Sequence, residues 1–237
     1  MCIVTYVPTK TGFILTSNRD ENPNRPTVAP DYYYSYNQTL IYPRDKVAGG
    51  TWFGVNCSQL KIGCVLNAQH PHDKKSSLSR GVFLRNHLTR RHFNGKLTAY
   101  HFQGLAPFEY LLVDYKSSDI QFLVYYWDGQ HLITKKVDSQ KEQIWSSLSL
   151  YNSEKHTNNL KIFQDGLKQN QEINQDAVFK MHETQFVQPF KSTNFHSYQQ
   201  QFPIQTISIT SLSVNRENKK LIYKDLITHH RTIREFH

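Results

Sequence analysis

The residue best suited to chemistry in this sequence is a thiol at its second position. Removal of Met1 would give Cys2 a free α-amine beside its own thiol. An α-amine has a pKa of about 7.7–8.0 and a thiol of about 8.5, so the amine can accept the thiol proton near neutral pH. One residue would then supply both the nucleophile and the base of an acyl transfer. The alternative interpretation is a small buried residue at the start of a strand.

Two short apolar segments must position this thiol. Residues 2–8 and 13–17 predict the two strands of a hairpin, joined by a tight turn. Depending on where the turn is centred, the numbers of paired residues sum to about 20 or 21. Cys2 then lies opposite Asn18 or Arg19, and directly paired side chains have Cβ atoms about 4.5–5.5 Å apart.

Four polar residues follow the return strand of this hairpin: Asn18, Arg19, Asp20 and Glu21. Arg19 would favour the thiolate electrostatically. A carboxylate from Asp20 or Glu21 could hold the α-amine, and Asn18 could donate a hydrogen bond to a substrate carbonyl. Four solvated residues at a strand end are the alternative. The predicted adjacency to Cys2 favours the catalytic interpretation.

The rest of the chain alternates strand patterns with helical ones and contains no linker, so we predict a single domain over residues 1–237. Because the strands come in hairpins, they predict antiparallel sheet covered by helices, an α+β fold. The pattern predicts strands over 40–43, 60–67, 109–114, 121–127, 131–137, 204–214 and 220–227, helices over 77–93 and 152–169, an irregular loop over 22–38, an unassigned polar stretch over 170–200, and a solvated tail from residue 229.

Three blocks of sequence resemble the NRDE-motif family, which is the transport-and-Golgi-organisation family of bacteria and eukaryotes. The match is specific over residues 1–70. It rests on Met1-Cys2-Ile3, on Ser17-Asn18-Arg19-Asp20-Glu21, and on Gly49-Gly50-Thr51-Trp52 with Gly54 and Asn56. That family is itself similar to N-terminal-nucleophile amidases such as bile-salt hydrolase and penicillin V acylase. The resemblance implies their fold, a four-layer αββα sandwich.

The resemblance also implies roles for individual residues. It implies Cys2 as the nucleophile that cleaves a linear amide through an acyl-enzyme, and Asn67 as an oxyanion-hole donor. Asn56 and Asn152 resemble further asparagines of those amidases, and Trp52 could line the substrate pocket or belong to the core.

This chain departs from the amidases after the first hairpin. They read Arg-Asn-x-Asp there, so an ungapped alignment puts Asn18 where they have Arg and Glu21 where they have Asp. Arg19 could replace that Arg only with a shift of one residue, which also switches the strand face.

Composition limits the other possibilities. The net charge of +9, from 28 basic and 19 acidic residues, is scattered along the chain, whereas RNA-binding motifs interleave basic and aromatic residues. The three cysteines form no disulfide framework. The first residues lack the features of a signal peptide, and no stretch approaches the roughly 18 apolar residues of a membrane span. These features predict a cytoplasmic protein without nucleic-acid or integral membrane contacts.

We expect no cofactor and no metal. His70, His72 and Asp73 lie close together, but their spacing fits no strong zinc pattern. Gly49 and Gly50 are not followed by the Gly-Lys-Ser/Thr of a phosphate-binding loop.

Two functions remain open from the sequence. The first is hydrolysis of a small-molecule linear amide through an acyl-enzyme on Cys2. The second is non-catalytic binding or trafficking of a hydrophobic ligand, such as a lipid, an acyl thioester or haem, on the same scaffold. The sequence does not address the oligomeric state.

Overall fold

A computed structural model of the chain describes residues 3–68, 76–89, 97–116, 119–147, 153–170, 172–188 and 204–237. Within these residues the chain has an α+β fold with two antiparallel sheets and three α-helices. Two predicted site residues, Cys2 and Asn152, lie outside the described residues.

The elements follow one another as β1 (Ile3–Thr9), β2 (Gly12–Glu21), β3 (Thr27–Ser35), β4 (Gln38–Asp45), β5 (Phe53–Asn56), β6 (Lys61–Asn67), α1 (Arg80–Thr89), a 3₁₀ helix (Ala99–Phe102), β7 (Phe108–Lys116), β8 (Asp119–Trp127), β9 (Leu132–Lys136), β10 (Gln143–Ser146), α2 (Ser153–Gln169), α3 (Gln175–Gln185), β11 (Gln205–Val214), β12 (Lys219–Asp225) and β13 (Arg231–Phe236). The first sheet has the strand order β10-β1-β2-β11-β12-β13 and the second β3-β4-β5-β6-β7-β8-β9. The prediction of antiparallel sheets with helices between groups of strands is confirmed.

The first hairpin forms as predicted, in the second of the two possible registers. Val4 lies opposite Ser17 and Thr9 opposite Gly12, so paired numbers sum to 21. β2 continues to Glu21, and the four polar residues therefore belong to the strand itself. At Gly12 an added Cβ would lie 1.8 Å from the carbonyl oxygen of Val214, so this close approach to the neighbouring strand requires glycine.

Both faces of the first sheet are covered, which explains the nearly continuous apolar sequence of its central strands. One face contributes Val4 and Phe13 to the large apolar cluster shared with the second sheet. The other face contributes Ile3 and Ile14 to a cluster with Phe163 of α2 and residues of α3. Burial of each such side chain stabilises the fold by about 1.5–3 kcal/mol.

Helix α1 packs on the second sheet across two glycines. A Cβ at Gly63 would lie 2.4 Å from a methyl carbon of Leu84, and one at Gly54 would lie 2.8 Å from a methyl carbon of Leu88. The glycines let the helix approach the strands closely. The helix predicted over residues 77–93 is present, but it begins only at Arg80.

Two predictions about the chain were wrong. The predicted irregular loop over residues 22–38 contains β3, an edge strand whose pairing with β4 is interrupted between Val28 and Asp31. This interruption accommodates Pro30, since proline is tolerated in strands at edges and bulges. The predicted solvated tail forms β13, another edge strand, which pairs with β12. The unassigned stretch over 170–200 contains α3, where the side chain of Asn174 accepts a hydrogen bond from the backbone N–H of Ala177 at 2.9 Å.

Candidate functional site

Four of the residues predicted for the site line a single cleft: Arg19, Glu21, Trp52 and Asn67. Its volume is about 180 Å³, and its walls come from β2, from the segment before β5, from the end of β6 and from the start of α1. We call it the arginine cleft, because Arg19, Arg25 and Arg80 line it together with Asp45, Gly50, Thr51, Val65, Ser76, Leu78, Ser79 and Gly81. The structure therefore brings Arg19, Trp52 and Asn67 to the same cleft.

Arg19 is held rigidly in this cleft and is only 4% exposed. One terminal nitrogen, Nη2, lies 2.5 Å from Asp45 Oδ2, and the other, Nη1, donates a hydrogen bond to Thr27 Oγ1 at 2.6 Å. Its guanidinium carbon lies 4.1 Å from the ring centroid of Trp52, in cation–π geometry. A buried arginine is tolerated because these contacts replace its hydration.

Asp45, which the sequence analysis missed, connects the charges of the cleft. Its Oδ1 accepts the backbone N–H groups of Val47 and Ala48, both at 2.9 Å, while Oδ2 contacts Arg19 and, at 2.6 Å, Nε of Arg25. Burial opposes ionisation, but the N–H of Ala48 and the charges of Arg25 and Arg19 outweigh it and hold the pKa of Asp45 below its usual value. Asp45 therefore stays ionised. The sequence feature that could have identified Asp45 was its position at the end of a strand, shortly before Gly49.

Arg25 and Arg80 were also missed. Arg25 Nη1 lies 3.4 Å from Glu21 Oε2, in addition to its contact with Asp45. Arg80 Nη1 donates a hydrogen bond to the carbonyl oxygen of Pro107 at 3.1 Å. The cleft thus contains three arginines and two carboxylates, which favours an anionic or strongly polar ligand.

The structure places Asn18 away from this cleft, on the opposite face of β2. Its amide nitrogen donates to the carbonyl oxygen of Phe186 at 2.9 Å, and its Oδ1 lies 2.6 Å from His182 Nδ1. The second imidazole nitrogen, Nε2, lies 2.8 Å from Thr5 Oγ1. Because an amide oxygen can only accept, Nδ1 carries the proton and Nε2 accepts from the threonine hydroxyl. Burial lowers the pKa of His182 to about 3, so the ring is neutral.

Asp20 lies on the same face as Asn18 and is fully buried. Its Oδ1 accepts a hydrogen bond from Thr206 Oγ1 at 2.6 Å. Strand alternation therefore divides the four polar residues into two pairs: Arg19 and Glu21 line the cleft, whereas Asn18 and Asp20 bind elements on the other side.

The remaining predicted residues differ in their surroundings. Asn67 ends β6, where its carbonyl oxygen accepts a hydrogen bond from Ser147 Oγ at 2.6 Å. Trp52 is 7% exposed, and its Nε1–H has no hydrogen-bond acceptor among the described residues. Asn56 is not among the residues that line the cleft. Its amide nitrogen donates to Gln38 Oε1 and to the carbonyl oxygen of Leu88 in α1, so it anchors the helix to the sheet.

Comparison with known proteins agrees with the sequence blocks. The family described as Transport and Golgi organisation 2 matches residues 1–224. The chain belongs to this family. A mouse relative, Transport and Golgi organization 2 homolog, is 32% identical over 78 residues, a segment that covers 32% of this chain and 28% of the mouse protein. The prediction of a transport-and-Golgi-organisation protein is confirmed.

Two further properties of this Transport and Golgi organisation 2 family member concern membranes and metals. Among the described residues, no helix combines the length and apolarity that crossing a membrane requires. The described ranges also contain no group of three or more His, Cys, Asp or Glu side chains placed to share a metal ion. The predicted loop with His70, His72 and Asp73 lies outside the described residues.

Proposed function

We propose that this chain is an N-terminal-cysteine hydrolase that cleaves a linear carbon–nitrogen amide bond through an acyl-enzyme on Cys2. The observation that carries the proposal is the register of the first hairpin. Its described pairs sum to 21, and the same register continued by two positions would set position 2 opposite Arg19. Arg19 lines the same cleft as Asn67.

The packing of the helices supports the corresponding fold, a four-layer αββα sandwich of the N-terminal-nucleophile type. Helices α2 and α3 contact β10, β2 and β11 of the first sheet, whereas α1 contacts β4, β5 and β6 of the second. The large apolar cluster combines Val4 and Phe13 of the first sheet with Phe53 and Phe122 of the second. Two sheets that face each other, each with helices on its outer side, would complete the four layers.

In the proposed mechanism the free α-amine of Cys2 takes the thiol proton, and the positive charge of Arg19 favours the thiolate. The sulfur attacks the amide carbonyl carbon, a C–S bond forms, and the carbonyl electron pair moves to the oxygen. The amide of Asn67 donates a hydrogen bond to this oxyanion. The α-ammonium then protonates the nitrogen as the C–N bond breaks, and water hydrolyses the thioester to release the acid.

The strand alternation selects between the two carboxylates that could hold the α-amine. Glu21 lies on the cleft face with Arg19, whereas Asp20 is bound to Thr206 on the other face. We therefore assign Glu21 this role in the proposal. Glu21 Oε2 also lies 3.4 Å from Arg25 Nη1, so this carboxylate already takes part in an ion pair within the cleft.

One observation favours the alternative, a non-catalytic binding protein on the same scaffold. The ion pair with Asp45 offsets the charge of Arg19 and weakens the field that would stabilise a thiolate. Binding or trafficking of a hydrophobic ligand, such as a lipid, an acyl thioester or haem, does not need that field. The two functions differ in whether Cys2 reacts.

The test begins with mass spectrometry of protein from its natural host, which must show loss of Met1. A thiol-directed chloroacetamide probe at pH 7 should then label Cys2 well before the other two cysteines. Cys64 is fully buried, and burial raises the pKa of Cys57 to about 12, so both serve as internal controls.

Activity provides the decisive measurement. A panel of N-acyl amides should be hydrolysed by the wild type and not by Cys2→Ala, while Cys57→Ala should retain the wild-type rate. Retention of Met1, equal labelling of all three thiols, or hydrolysis that survives Cys2→Ala would overturn the enzyme proposal.

A further inference from the structure

A second concavity adjoins the arginine cleft on the other side of the first turn of α1. We call it the apolar groove. It has a volume of about 420 Å³ and is lined by Leu78, Ser79, Val82, Phe83, Asn86, His87, Leu97, Tyr100, His101 and Gln103. Its floor is aromatic, because the ring of Phe83 packs against Phe102 at 5.1 Å and against Tyr110 at 5.7 Å between centroids. This volume is typical of a small-molecule site.

The groove and the cleft are neighbours that share part of their walls. Leu78 and Ser79 line both of them, so the two concavities meet at the residues just before α1. Leu78 is 54% exposed and Tyr100, on the groove wall, is 76% exposed. An apolar group bound at this concave surface would cover both side chains.

The cleft end of this surface has the opposite character. Three arginines and two carboxylates line it, and the first residues of α1 contribute the positive end of the helix dipole. The buried Nε1–H of Trp52, which also lines the cleft, has no acceptor in the described part of the chain. A buried donor without an acceptor is unfavourable, and a ligand oxygen would supply that acceptor.

We propose that the arginine cleft and the apolar groove form one two-part site for an amphipathic acyl amide that carries a free carboxylate, an N-acyl amino acid. The amide and the carboxylate occupy the cleft, and Trp52 Nε1–H donates to a ligand oxygen there. The acyl chain passes Leu78 and lies in the groove against Phe83 and Tyr100. This assignment rests on the proposed function for its chemistry, but binding to the site can be measured without catalysis.

The experiment uses the full chain as Cys2→Ala, which removes turnover, and isothermal titration calorimetry with three probes. N-octanoylglycine should bind at least 10-fold more tightly than N-acetylglycine, which lacks the chain. It should also bind at least 10-fold more tightly than N-octanoylglycinamide, which lacks the carboxylate. Equal affinities for the three probes, or no binding of N-octanoylglycine, would overturn the two-part site.

Variants in the same background locate the two parts. Leu78→Asn and Tyr100→Ala should each weaken N-octanoylglycine about 5–10-fold, because each removes apolar contact with the chain. Tyr100→Ala should also leave N-acetylglycine unchanged, because Tyr100 lines the groove and not the cleft. Tyr34→Ala is the matched control, since Tyr34 is 81% exposed on β3 and lines neither concavity. Affinity unchanged by both groove variants would refute the chain assignment.

Trp52→Phe tests the head-group end while keeping an aromatic ring beside Arg19. It should weaken N-octanoylglycine about 5-fold or more, with thermal unfolding measured in parallel to show that the variant is folded. A folded variant with wild-type affinity would refute the role of Nε1–H. The outcomes also separate the two proposals. Tight binding of N-octanoylglycine without its hydrolysis by the wild type would refute the enzyme proposal and support the two-part site. Hydrolysis of all three probes at the same rate would support the enzyme proposal and refute the two-part site.

Discussion

The buried imidazole of His182 makes this protein less stable as the pH falls through the mildly acidic range. The ring lies between β1, β2 and α3, where Thr5 Oγ1 and Asn18 Oδ1 occupy its two nitrogens at 2.8 and 2.6 Å. Burial lowers the pKa of His182 to about 3. The folded state therefore keeps this ring neutral at pH values where the unfolded chain protonates it.

The sign and size of the effect follow from proton linkage. The unfolded pKa is about 6.5, so the contribution of His182 to stability is intact above pH 6.5 and is lost progressively as the pH falls from there towards 3. Between pH 7.5 and pH 5.0 the free energy of unfolding should decrease by about 2 kcal/mol from this group alone. The loss would continue below pH 5 and end near the folded pKa.

The assay is urea denaturation of the wild type and of His182→Gln at both pH values. A glutamine side chain can hydrogen-bond but does not titrate. The variant should be less stable at pH 7.5, and its free energy of unfolding should change by about 2 kcal/mol less between the two pH values. Other titrating groups cancel in this difference. His230→Gln, which removes an exposed imidazole, is the matched control; parallel pH dependence in wild type and His182→Gln would refute the reasoning.

Three further substitutions have effects that follow from the contacts described above. Asp45→Asn removes the countercharge of buried Arg19 and should lower the free energy of unfolding by about 3–5 kcal/mol in urea denaturation; a loss below about 1 kcal/mol would contradict a structural ion pair. Burial raises the pKa of Glu109 to about 7. Ionisation of Glu109 therefore stabilises the unfolded state as the pH rises from about 4.5 to 7. Glu109→Gln should raise the stability of the folded protein by up to about 3 kcal/mol at pH 8 but change it little at pH 4, as measured by thermal unfolding. Equal effects at both pH values would contradict this expectation. Gly50→Ala should destabilise by about 3 kcal/mol, since its Cβ would lie 2.3 Å from the carbonyl carbon of Gly81, and an unchanged melting temperature would show that the two backbones can separate.

Local patterns were sufficient for the first hairpin and for the family. Two apolar segments flank a short turn, and that arrangement limits the register to the two values considered, of which the protein adopts the sum of 21. The glycine-rich block before β5 was recognised in the sequence, but the sequence did not show why glycine is required there. Gly50 permits close contact with Gly81 of α1.

Local patterns failed for β3 and β13, which are edge strands and therefore lack the apolar alternation of central strands. Pro30 and several tyrosines give β3 a sequence that resembles a loop. The charged residues Arg231 and Arg234 give β13 a sequence that resembles a solvated tail. In both cases pairing with one neighbouring strand determines the conformation, and side-chain burial contributes less.

By itself the sequence determined which residues are available for chemistry and that Asn18, Arg19, Asp20 and Glu21 belong near the first hairpin. Only the tertiary structure decided which of them share a cleft. Arg19 meets Asp45, 26 residues away, while its neighbour Asn18 meets His182, 164 residues away. Consecutive side chains of a strand point to opposite faces, and when both faces are buried their partners come from distant parts of the chain, which no local pattern encodes.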